Sequence, residues 1–504
     1  MNVLSIINTA RISSWSYRII STIVGMLTIR LINEEIGINS FSAISFYLSF
    51  LMGLVAFDFG LLQSTSRFVS KYNSPRYKDE RIIFWGSLIT SYFFLLLFQL
   101  VLLALLSIFI SLSGYLNDIT PASFICLGLI FILSNILSSI SLVYAGLQNY
   151  AVLGFVKISK SVFYFIAVLA LYIHHSMSVT SILWISAITF LAPNLILFLW
   201  VIIFKPNFLA KNIFSSFKVN TIKIKELFVY SAQGWLFTFS NIIISYGTVV
   251  IAGLYLPQAE AGKVQIAIAL YAGIAAFLTG AMTPITTIYS RFSDDSIEST
   301  HKRTNALYAV LNETILLSGI LVVFFYNYSY LVLDFLLPQK DVNLLTHTNR
   351  NVLILILPTL LTLPFFIFRF TLVSSRLNKV YCIRFFLSTV VIFSFALFLA
   401  YLTKKTEIVV IASSVALVLR SMLSYYYSDA KSLRLFSFKI VKFLFATILI
   451  CGIVNYLLNF IPVSFEYKIF TSTHIHALIY FSVCFTAYAL RNYINLFKHL
   501  GFNI

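Results

Sequence analysis

The sequence predicts an all-α integral membrane protein with about 14 transmembrane helices. Hydrophobic residues make up 60% of the 504 positions and charged residues 10%, whereas soluble proteins carry about 25% charged residues. Apolar runs of 18 or more residues recur along the whole length, and about 20 helical residues cross the ~30 Å hydrocarbon core of a bilayer. The stretches between these runs are too short for a folded soluble domain. Lipid is therefore the expected solvent of most of the surface.

The apolar runs place the transmembrane helices, numbered here as spans 1 to 14. The first run contains Arg18 and Arg30 and lacks a small-residue cleavage site, so it is expected to be retained as span 1 rather than removed as a signal peptide. The spans are expected at residues 12–32, 41–64, 82–112, 121–145, 152–173, 180–203, 226–255, 262–290, 306–327, 350–372, 380–401, 406–427, 438–460 and 474–496.

The distribution of basic residues predicts the orientation of these spans. An even number of spans puts both termini on one side, and Lys and Arg are retained in the cytoplasm. The side of the termini holds 27 of the 35 Lys and Arg residues, the opposite side holds six, and Arg18 and Arg30 lie within span 1. This predicts a multi-pass protein of a bacterial inner membrane with both termini in the cytoplasm. The net charge of +18 then reflects topology and attraction to the anionic inner leaflet, not nucleic-acid binding.

Two short segments recur at nearly constant spacing and indicate an internal duplication. Span 2 ends in Ser-Arg-Phe at 66–68, and span 8 ends in Ser-Arg-Phe at 290–292, an offset of 224. The segment at 142–149, with Leu-Val and then Leu-Gln-Asn, is matched 230 residues later by the segment at 372–379, with Leu-Val and then Leu-Asn-Lys. The repeat predicts an N-terminal lobe at 1–204 (spans 1–6), a cytoplasmic linker at 205–225, a C-terminal lobe at 226–430 (spans 7–12), and spans 13 and 14 within 431–504. Transporters built from such repeats bind substrate between the lobes.

Polar stripes along three spans are candidates for the wall of a cavity. A polar side chain that faces hydrocarbon is unfavourable, so polar arcs at helical spacing mark an interior or watery face. Span 1 carries Arg18 in such an arc, span 7 carries Gln233 and Asn241, and span 8 carries Thr283. Ordinary packing by small and hydroxyl residues explains Thr283 well. It explains Arg18, Gln233 and Asn241 poorly.

Charged residues within spans 1, 2 and 5 are candidates for substrate contacts. Arg18 and Asp58 have similar depth in adjacent spans, so Asp58 either pairs with Arg18 as a structural ion pair or positions it and takes up a proton. Lys157 and Lys160 share one face of span 5 because residues three apart are helical neighbours. Snorkelling of both lysines to the cytoplasmic headgroups is the alternative.

A second group of charges is expected to form a coupling or charge network. Glu313 lies within span 9, and Arg369, Arg384 and Arg420 lie in the cytoplasmic halves of later spans. Together with Arg18 and the two lysines, these arginines predict a basic cavity at cytoplasmic-half depth. Guanidinium and ammonium groups in a partly desolvated site bind phosphate strongly, so an anionic lipid headgroup fits such a cavity and a cationic drug does not.

Several function classes find no support in the sequence. The four cysteines are isolated within apolar runs and offer neither a disulfide framework nor a metal spacing. No GxxxxGK[ST] phosphate loop occurs. We therefore expect no metal or organic cofactor, no catalytic residues and no ATP hydrolysis by such a loop.

Short motifs at the ends of spans 2 and 4 resemble those of the polysaccharide-transporter family. The motifs are Phe-Asp-Phe-Gly-Leu at 57–61, Ser-Arg-Phe at 66–68 and Gly-Leu-Gln-Asn-Tyr at 146–150. That family includes the flippases of O-antigen units and belongs to the multidrug/oligosaccharidyl-lipid/polysaccharide exporter (MOP) superfamily.

The resemblance implies two six-helix lobes, alternating access and a central cationic cavity to which Arg18 and Asp58 contribute. It implies transport of undecaprenyl-diphosphate-linked oligosaccharide, as in O-antigen assembly for lipopolysaccharide, coupled to a proton or sodium gradient. A polysaccharide polymerase and a chain-length regulator are the further partners. Two alternatives stay open: a cation-coupled multidrug exporter of the same superfamily, and a membrane polysaccharide polymerase or ligase, although the large outer loop usual in such enzymes is missing.

Overall fold

The fold is described from a computed structural model. It describes residues 3–72, 80–113, 119–147, 150–204, 219–291, 297–337, 342–372, 377–428, 434–458 and 476–484, the last without 478 and 481. These ranges consist of helices joined by short turns. The helices are α1 (Val3–Ala56), α2 (Leu61–Tyr72), α3 (Arg81–Ser113), α4 (Pro121–Gly146), α5 (Tyr150–Ile173), α6 (Val179–Phe204), α7 (Thr221–Ile242), α8 (Thr248–Tyr255), α9 (Gln258–Arg291), α10 (Ile297–Leu336), α11 (Val342–Phe366), α12 (Phe368–Leu372), α13 (Leu377–Thr403), α14 (Thr406–Tyr427) and α15 (Arg434–Leu458).

The described helices confirm the multi-span membrane fold. Twelve stretches of them are long and apolar enough to cross a bilayer. Helix α4 illustrates why the sequence predicts its ends so closely. Thr120 caps the helix by accepting the N–H of Ser123, and Pro121 occupies the first turn, where its missing N–H has no cost. The chain is an all-helical, multi-pass integral membrane protein.

Helix α1 includes predicted span 1 and the part of predicted span 2 up to Ala56. Its 54 residues would extend about 80 Å if straight, more than twice the ~30 Å hydrocarbon core. Gly37 interrupts it with φ 76° and ψ 171°, a conformation that glycine adopts without the steric cost of a Cβ atom. The residues after this break, 38–56, extend about 28 Å as a helix, which is enough for a crossing of their own. Predicted span 14 lies largely outside the described residues.

Span 2 was predicted as continuous through residue 64, and this is wrong. The helix stops at Ala56, and α2 begins at Leu61 after a turn in which Phe59 (φ 50°) and Gly60 (φ 72°) are left-handed. The Asp58 carboxylate accepts the N–H of Gly60 at 2.8 Å, which satisfies a donor at the start of the new helix. Hydropathy alone conceals the break because the turn is rich in phenylalanine.

A similar correction applies to span 10, predicted as one helix over 350–372. It is divided into α11 and α12 at Ile367. Pro358 and Pro364 lie inside α11, and a proline removes one backbone hydrogen bond and crowds the preceding turn. The break three residues after Pro364 follows from this local weakening.

The described helices pack into two compact units. The first comprises Met1–Gly273 and Asn378–Ser413, and the second comprises Ile274–Leu377 and Ser414–Ile504. This division differs from the predicted lobes at 1–204 and 226–430, which stay a prediction of the sequence repeat.

In the first unit, α2 packs against α4 and α7, α1 against α5, and α4 against α6. One cluster of buried side chains in this unit is rich in aromatic residues and includes Phe68, Tyr72, Phe84, Trp85 and Tyr92. The outward faces of the same helices carry exposed apolar side chains. The pattern is that expected for helices that pack on one another and face lipid on the other side.

A network of ion pairs joins α2, α3 and α7 of the first unit, just before the membrane-spanning part of α7. Lys223 Nζ lies 2.6 Å from a Glu80 carboxylate oxygen and 2.7 Å from the Tyr72 hydroxyl, and Lys71 Nζ lies 3.0 Å from Glu226. Burial alone would lower the pKa of Lys223, but its bonds to Glu80 and Tyr72 raise that pKa above 10.5. Burial alone would raise the pKa of Glu226, but Lys71 and Lys223 lower it below 4.5.

In the second unit, α10 packs against α11 and α15. Tyr328 of α10 donates its hydroxyl to the Asn455 side chain of α15 at 2.6 Å. The described part of span 14 joins the same cluster through Tyr480, whose hydroxyl donates to the Ile320 carbonyl at 3.2 Å. Cys451 and Cys484, isolated in the sequence, lie in this one cluster.

Candidate substrate-binding site

Helices α1 and α5 bring two cations together around one tyrosine. Arg18 Nε donates to the Tyr17 hydroxyl at 2.9 Å, and its guanidinium carbon lies 5.4 Å from the centre of the Tyr17 ring. Lys157 Nζ lies 3.5 Å from the same hydroxyl and 4.8 Å from the same ring centre. The predicted cavity residues Arg18 and Lys157 therefore form one basic cluster with Tyr17.

Two serines fix the pairing of the helices one turn away from this cluster. Ser21 and Ser161 share a hydrogen bond of 2.8 Å between their hydroxyls. Ser21 follows Arg18 by three residues, and Ser161 follows Lys157 by four, so both contacts lie on the facing sides of α1 and α5. The hydroxyl bond fixes the register of the two helices, and the register places the two cations together.

The basic cluster lies near one end of the first membrane crossing. Arg18 precedes the break at Gly37 by 19 residues, or about 28 Å of helix, which is roughly the thickness of the hydrocarbon core. Lys160 precedes the end of α5 at Ile173 by 13 residues, or about 20 Å, so it lies deeper in the bilayer.

Lys160 makes a different contact from the other two cations. Its Nζ lies 3.9 Å from the centre of the Phe190 ring of α6, a cation–π contact of the kind that holds a partly desolvated ammonium group. Neither Lys157 nor Lys160 has a carboxylate at ion-pair distance among the described residues. Uncompensated positive charge beside hydrocarbon is costly, and an anionic ligand would relieve that cost.

Of the two interpretations of Asp58, the structural ion pair with Arg18 is not observed among the described contacts of the Asp58 carboxylate. The carboxylate is buried and accepts a backbone N–H of its own turn. The physical reason is local, because a carboxylate placed three residues before a helix start satisfies the free donors of the first turn. A contribution of Asp58 to a substrate cavity stays a prediction.

A second feature of the first unit is a cavity of about 440 Å³ between α7, α8 and α9. Asn241, predicted from the polar stripe of span 7, is one of its lining residues. At this point span 7 departs from the continuous helix that the sequence predicts, because Ile243–Gly247 forms a π-helical turn between α7 and α8. Wide turns of this kind are found frequently at functional sites.

The remaining predicted site residues lie apart from these two features or outside the described side chains. Arg384 is exposed on α13 of the first unit. In the second unit Glu313 is half-buried on α10, Arg369 is buried on α12, and the buried Arg420 guanidinium lies 4.1 Å from the Phe366 ring centre. Their charge network with Glu313 stays a prediction. Gln233 and Thr283 lie on described helices, but their side chains are outside the described residues.

Comparison with solved structures shows which fold these features belong to. No protein-family model and no curated protein matches the sequence. An inward-facing multidrug-resistance MATE transporter matches with a TM-score of 0.61 at 12% identity over 86% of this chain and 98% of its own. The lipid II flippase MurJ, in an inward closed conformation, matches with a TM-score of 0.57 at 17% identity over 97% and 99%. The chain shares the fold of these two proteins.

A third solved structure shows that transporters of this fold differ in the polarity of their binding pocket. The protein from Pyrococcus furiosus, described as having a binding pocket of reverse polarity, matches with a TM-score of 0.58 at 10% identity over 86% of this chain and 96% of its own. All three are transporters or flippases rather than enzymes. The fold that the sequence resemblance implies is confirmed, and membership of the superfamily and of the polysaccharide-transporter family stays a prediction.

Proposed function

We propose that this chain is a flippase for undecaprenyl-diphosphate-linked oligosaccharide, such as an O-antigen unit. It moves this cargo from the cytoplasmic to the periplasmic leaflet of a bacterial inner membrane by alternating access, coupled to a proton or sodium gradient. Both termini face the cytoplasm. The observation that carries the proposal is the basic cluster of Arg18 and Lys157 around Tyr17.

The cluster has the chemistry that a diphosphate requires. A guanidinium group offers paired N–H donors, an ammonium group offers three more, and the phenol offers a further donor to a phosphate oxygen. Two cations already share the Tyr17 hydroxyl, so the like charges are held together before a ligand arrives. A diphosphate that bridges them would replace repulsion with attraction in a medium of low dielectric constant.

The surroundings of the cluster favour a lipid-linked anion over a soluble one. Several apolar side chains close to the cluster in sequence are exposed on the surface: Ile19 and Ile23 on α1, and Phe155 and Ile166 on α5. Exposed aliphatic and aromatic groups at this depth face hydrocarbon. A ligand that joins a diphosphate to an isoprenoid tail fits both environments at once.

The extent of the structural matches agrees with this proposal. The MurJ match covers 97% of the chain, whereas the MATE match covers 86%. MurJ is itself a flippase of a lipid-linked cargo, and the likeness supports a cargo of the same physical class here.

The alternative of a cation-coupled multidrug exporter is favoured by the MATE match, which has the higher TM-score. A site for cationic drugs is expected to carry carboxylates. The described residues lining the 440 Å³ cavity include no Asp or Glu, and the two charged side chains around Tyr17, Arg18 and Lys157, are both basic. A polysaccharide polymerase or ligase is less favoured, because the sequence lacks the large outer loop usual in such enzymes.

A transport assay with purified protein tests the proposal. Proteoliposomes would contain undecaprenyl diphosphate carrying a fluorescent sugar, and loss of fluorescence to an impermeant quencher would report its movement between leaflets. We expect Arg18→Ala to reduce the rate by at least tenfold, because it removes a charged contact worth about 1.5–3 kcal/mol. Arg18→Lys keeps the charge and should retain part of the rate.

Arg30→Ala is the matched control. Arg30 lies on the same helix and pairs at 3.8 Å with Glu34, both partly exposed, so its loss should leave transport unchanged. Equal rates for wild type, Arg18→Ala and Lys157→Ala would remove the basic cluster from the mechanism. Drug efflux without lipid transport would replace the proposal with the multidrug alternative.

A further inference from the structure

The cavity between α7, α8 and α9 carries polar groups that lack partners. Gln265 lines it, and its Oε1 atom is buried without a hydrogen-bond donor. The hydroxyls of Ser245 and Tyr246, which also line it, form no hydrogen bond among the described residues. Buried polar groups are usually satisfied, because leaving one unpaired is unfavourable. Here the buried unpaired atom is Gln265 Oε1, and the Ser245 and Tyr246 hydroxyls belong to half-buried residues of the same cavity wall. A wall with these groups suits a ligand that forms hydrogen bonds.

Among the described residues, the cavity wall has no charged side chain. Besides the three groups above, its polar members are Thr238 and Asn241, and the rest of the wall is aliphatic or aromatic. Thr238 and Asn241 each donate to a carbonyl one turn back on α7, Asn241 at 2.7 Å to that of Phe237. The Phe237 ring packs against Tyr381 and Phe385 of α13, with ring centres 6.0 and 5.7 Å away. The wall is therefore held in place.

Such a wall matches the surface of a sugar ring. A pyranose presents C–H groups on its faces, which pack on aromatic and aliphatic side chains, and hydroxyl or acetamido groups at its rim, which bond to amides and hydroxyls. The volume of about 440 Å³ lies in the range of roughly 300–1,000 Å³ of small-molecule sites. An ion would find no carboxylate, and a lipid tail would leave the polar groups unsatisfied.

The cavity also lies close to the basic cluster. Helix α1, which carries Arg18, packs against the π-helical turn and α8. The lining residue Ala272 is followed by Gly273, at which a Cβ atom would lie 3.1 Å from the Thr22 methyl group. Thr22 follows Arg18 by four residues, about 6 Å along the helix. A sugar joined to a diphosphate at Arg18 is thus within reach of the cavity.

We propose that this cavity is a subsite for an uncharged sugar of the cargo, with an N-acetylated hexosamine as the preferred class. The acetamido N–H supplies the donor that Gln265 Oε1 lacks, and the acetamido methyl group fits the aliphatic wall. Ser245 and Tyr246 bond to ring hydroxyls. This inference rests on the proposed flippase function, because the diphosphate brings the sugar to the site.

Binding measurements on the full chain in nanodiscs test the inference. The two probes are undecaprenyl diphosphate and undecaprenyl-diphosphate N-acetylglucosamine. The Kd of the first divided by the Kd of the second isolates the contribution of the sugar. In the wild type the sugar-bearing probe should bind at least about tenfold more tightly. Gln265→Leu and Ser245→Ala should each lower this ratio about two- to tenfold, the effect of one hydrogen bond, and leave the Kd of undecaprenyl diphosphate unchanged.

Gln258→Leu is the matched control, since Gln258 is exposed on the same helix seven residues earlier, and its ratio should equal that of the wild type. A ratio near one in the wild type, or a ratio unchanged by both cavity variants, overturns the subsite and leaves the flippase proposal intact. Tighter binding of bare undecaprenyl diphosphate to Gln265→Leu would assign the cavity to a lipid tail and also overturn it. Failure of both probes to bind would instead count against the proposed function.

Discussion

Gly60 is the residue whose substitution the structure constrains most strongly. It lies in the turn between α1 and α2 with φ 72°, and a Cβ atom there would overlap the Ser231 carbonyl oxygen and lie 3.0 Å from the Trp235 nitrogen, both on α7. The left-handed conformation costs an L-residue about 1–2 kcal/mol, and overpacking adds about 1–3 kcal/mol. Because the obstructing atoms are backbone, we expect Gly60→Ala to destabilise the protein by about 2–5 kcal/mol.

Thermal unfolding of the purified protein in detergent, followed by the loss of the monodisperse peak in size-exclusion chromatography, measures this effect. Gly53→Ala is the control, because Gly53 lies within α1 and nothing approaches its Cβ position within 4 Å. A helical Gly→Ala change should be neutral or stabilise by up to about 1 kcal/mol. If Gly60→Ala unfolds at the wild-type temperature, the close packing of α2 on α7 is wrong.

Two further predictions concern the ion-pair network and the orientation of the chain. Because its pKa is lowered, Glu226 stabilises the fold above pH 4.5, and the unfolding temperature should fall as the pH drops through that lowered pKa. Because its pKa is raised, Lys223 stabilises the fold below pH 10.5, and the unfolding temperature should fall as the pH rises through that raised pKa. Glu226→Gln should flatten the acid side of this profile, and an unaltered acid side would contradict the assignment. For orientation, in a Cys126→Ser background, Lys405→Cys should react with an impermeant maleimide in intact cells, whereas Lys225→Cys should react after permeabilisation; the reverse pattern would invert the topology.

The sequence predicts the helices well where its local signals agree with hydropathy. Predicted span 4 at 121–145 and α4 at Pro121–Gly146 nearly coincide, because threonine and proline mark the start and the apolar run marks the extent. The break at Asp58 shows the opposite case. Aspartate and glycine there are helix-stop signals, but the flanking phenylalanines keep the average hydropathy high, so the helix was predicted to continue.

The candidate site could be predicted in part. Arg18 and Lys157 stand out because a cation within an apolar run has a cost that needs a reason. Tyr17, which joins them, carries no signal of its own, since tyrosines are common in the chain, with 29 in total. Gln265 and Tyr246 were also missed, because one polar residue on an otherwise apolar face makes no stripe, and the π-helical turn that positions Tyr246 has no sequence signature. These contacts depend on tertiary packing.

The most direct test of the central claim compares two ligands that share a tail. Undecaprenyl diphosphate and undecaprenol differ in the diphosphate alone, so the ratio of their Kd values for the purified protein reports what the basic cluster contributes. The account predicts that the wild type strongly prefers the diphosphate. This preference should fall by at least about a hundredfold in the Arg18→Ala, Lys157→Ala double variant, because two charged contacts are lost. It should persist in Arg30→Ala. An undiminished preference in the double variant would contradict the account.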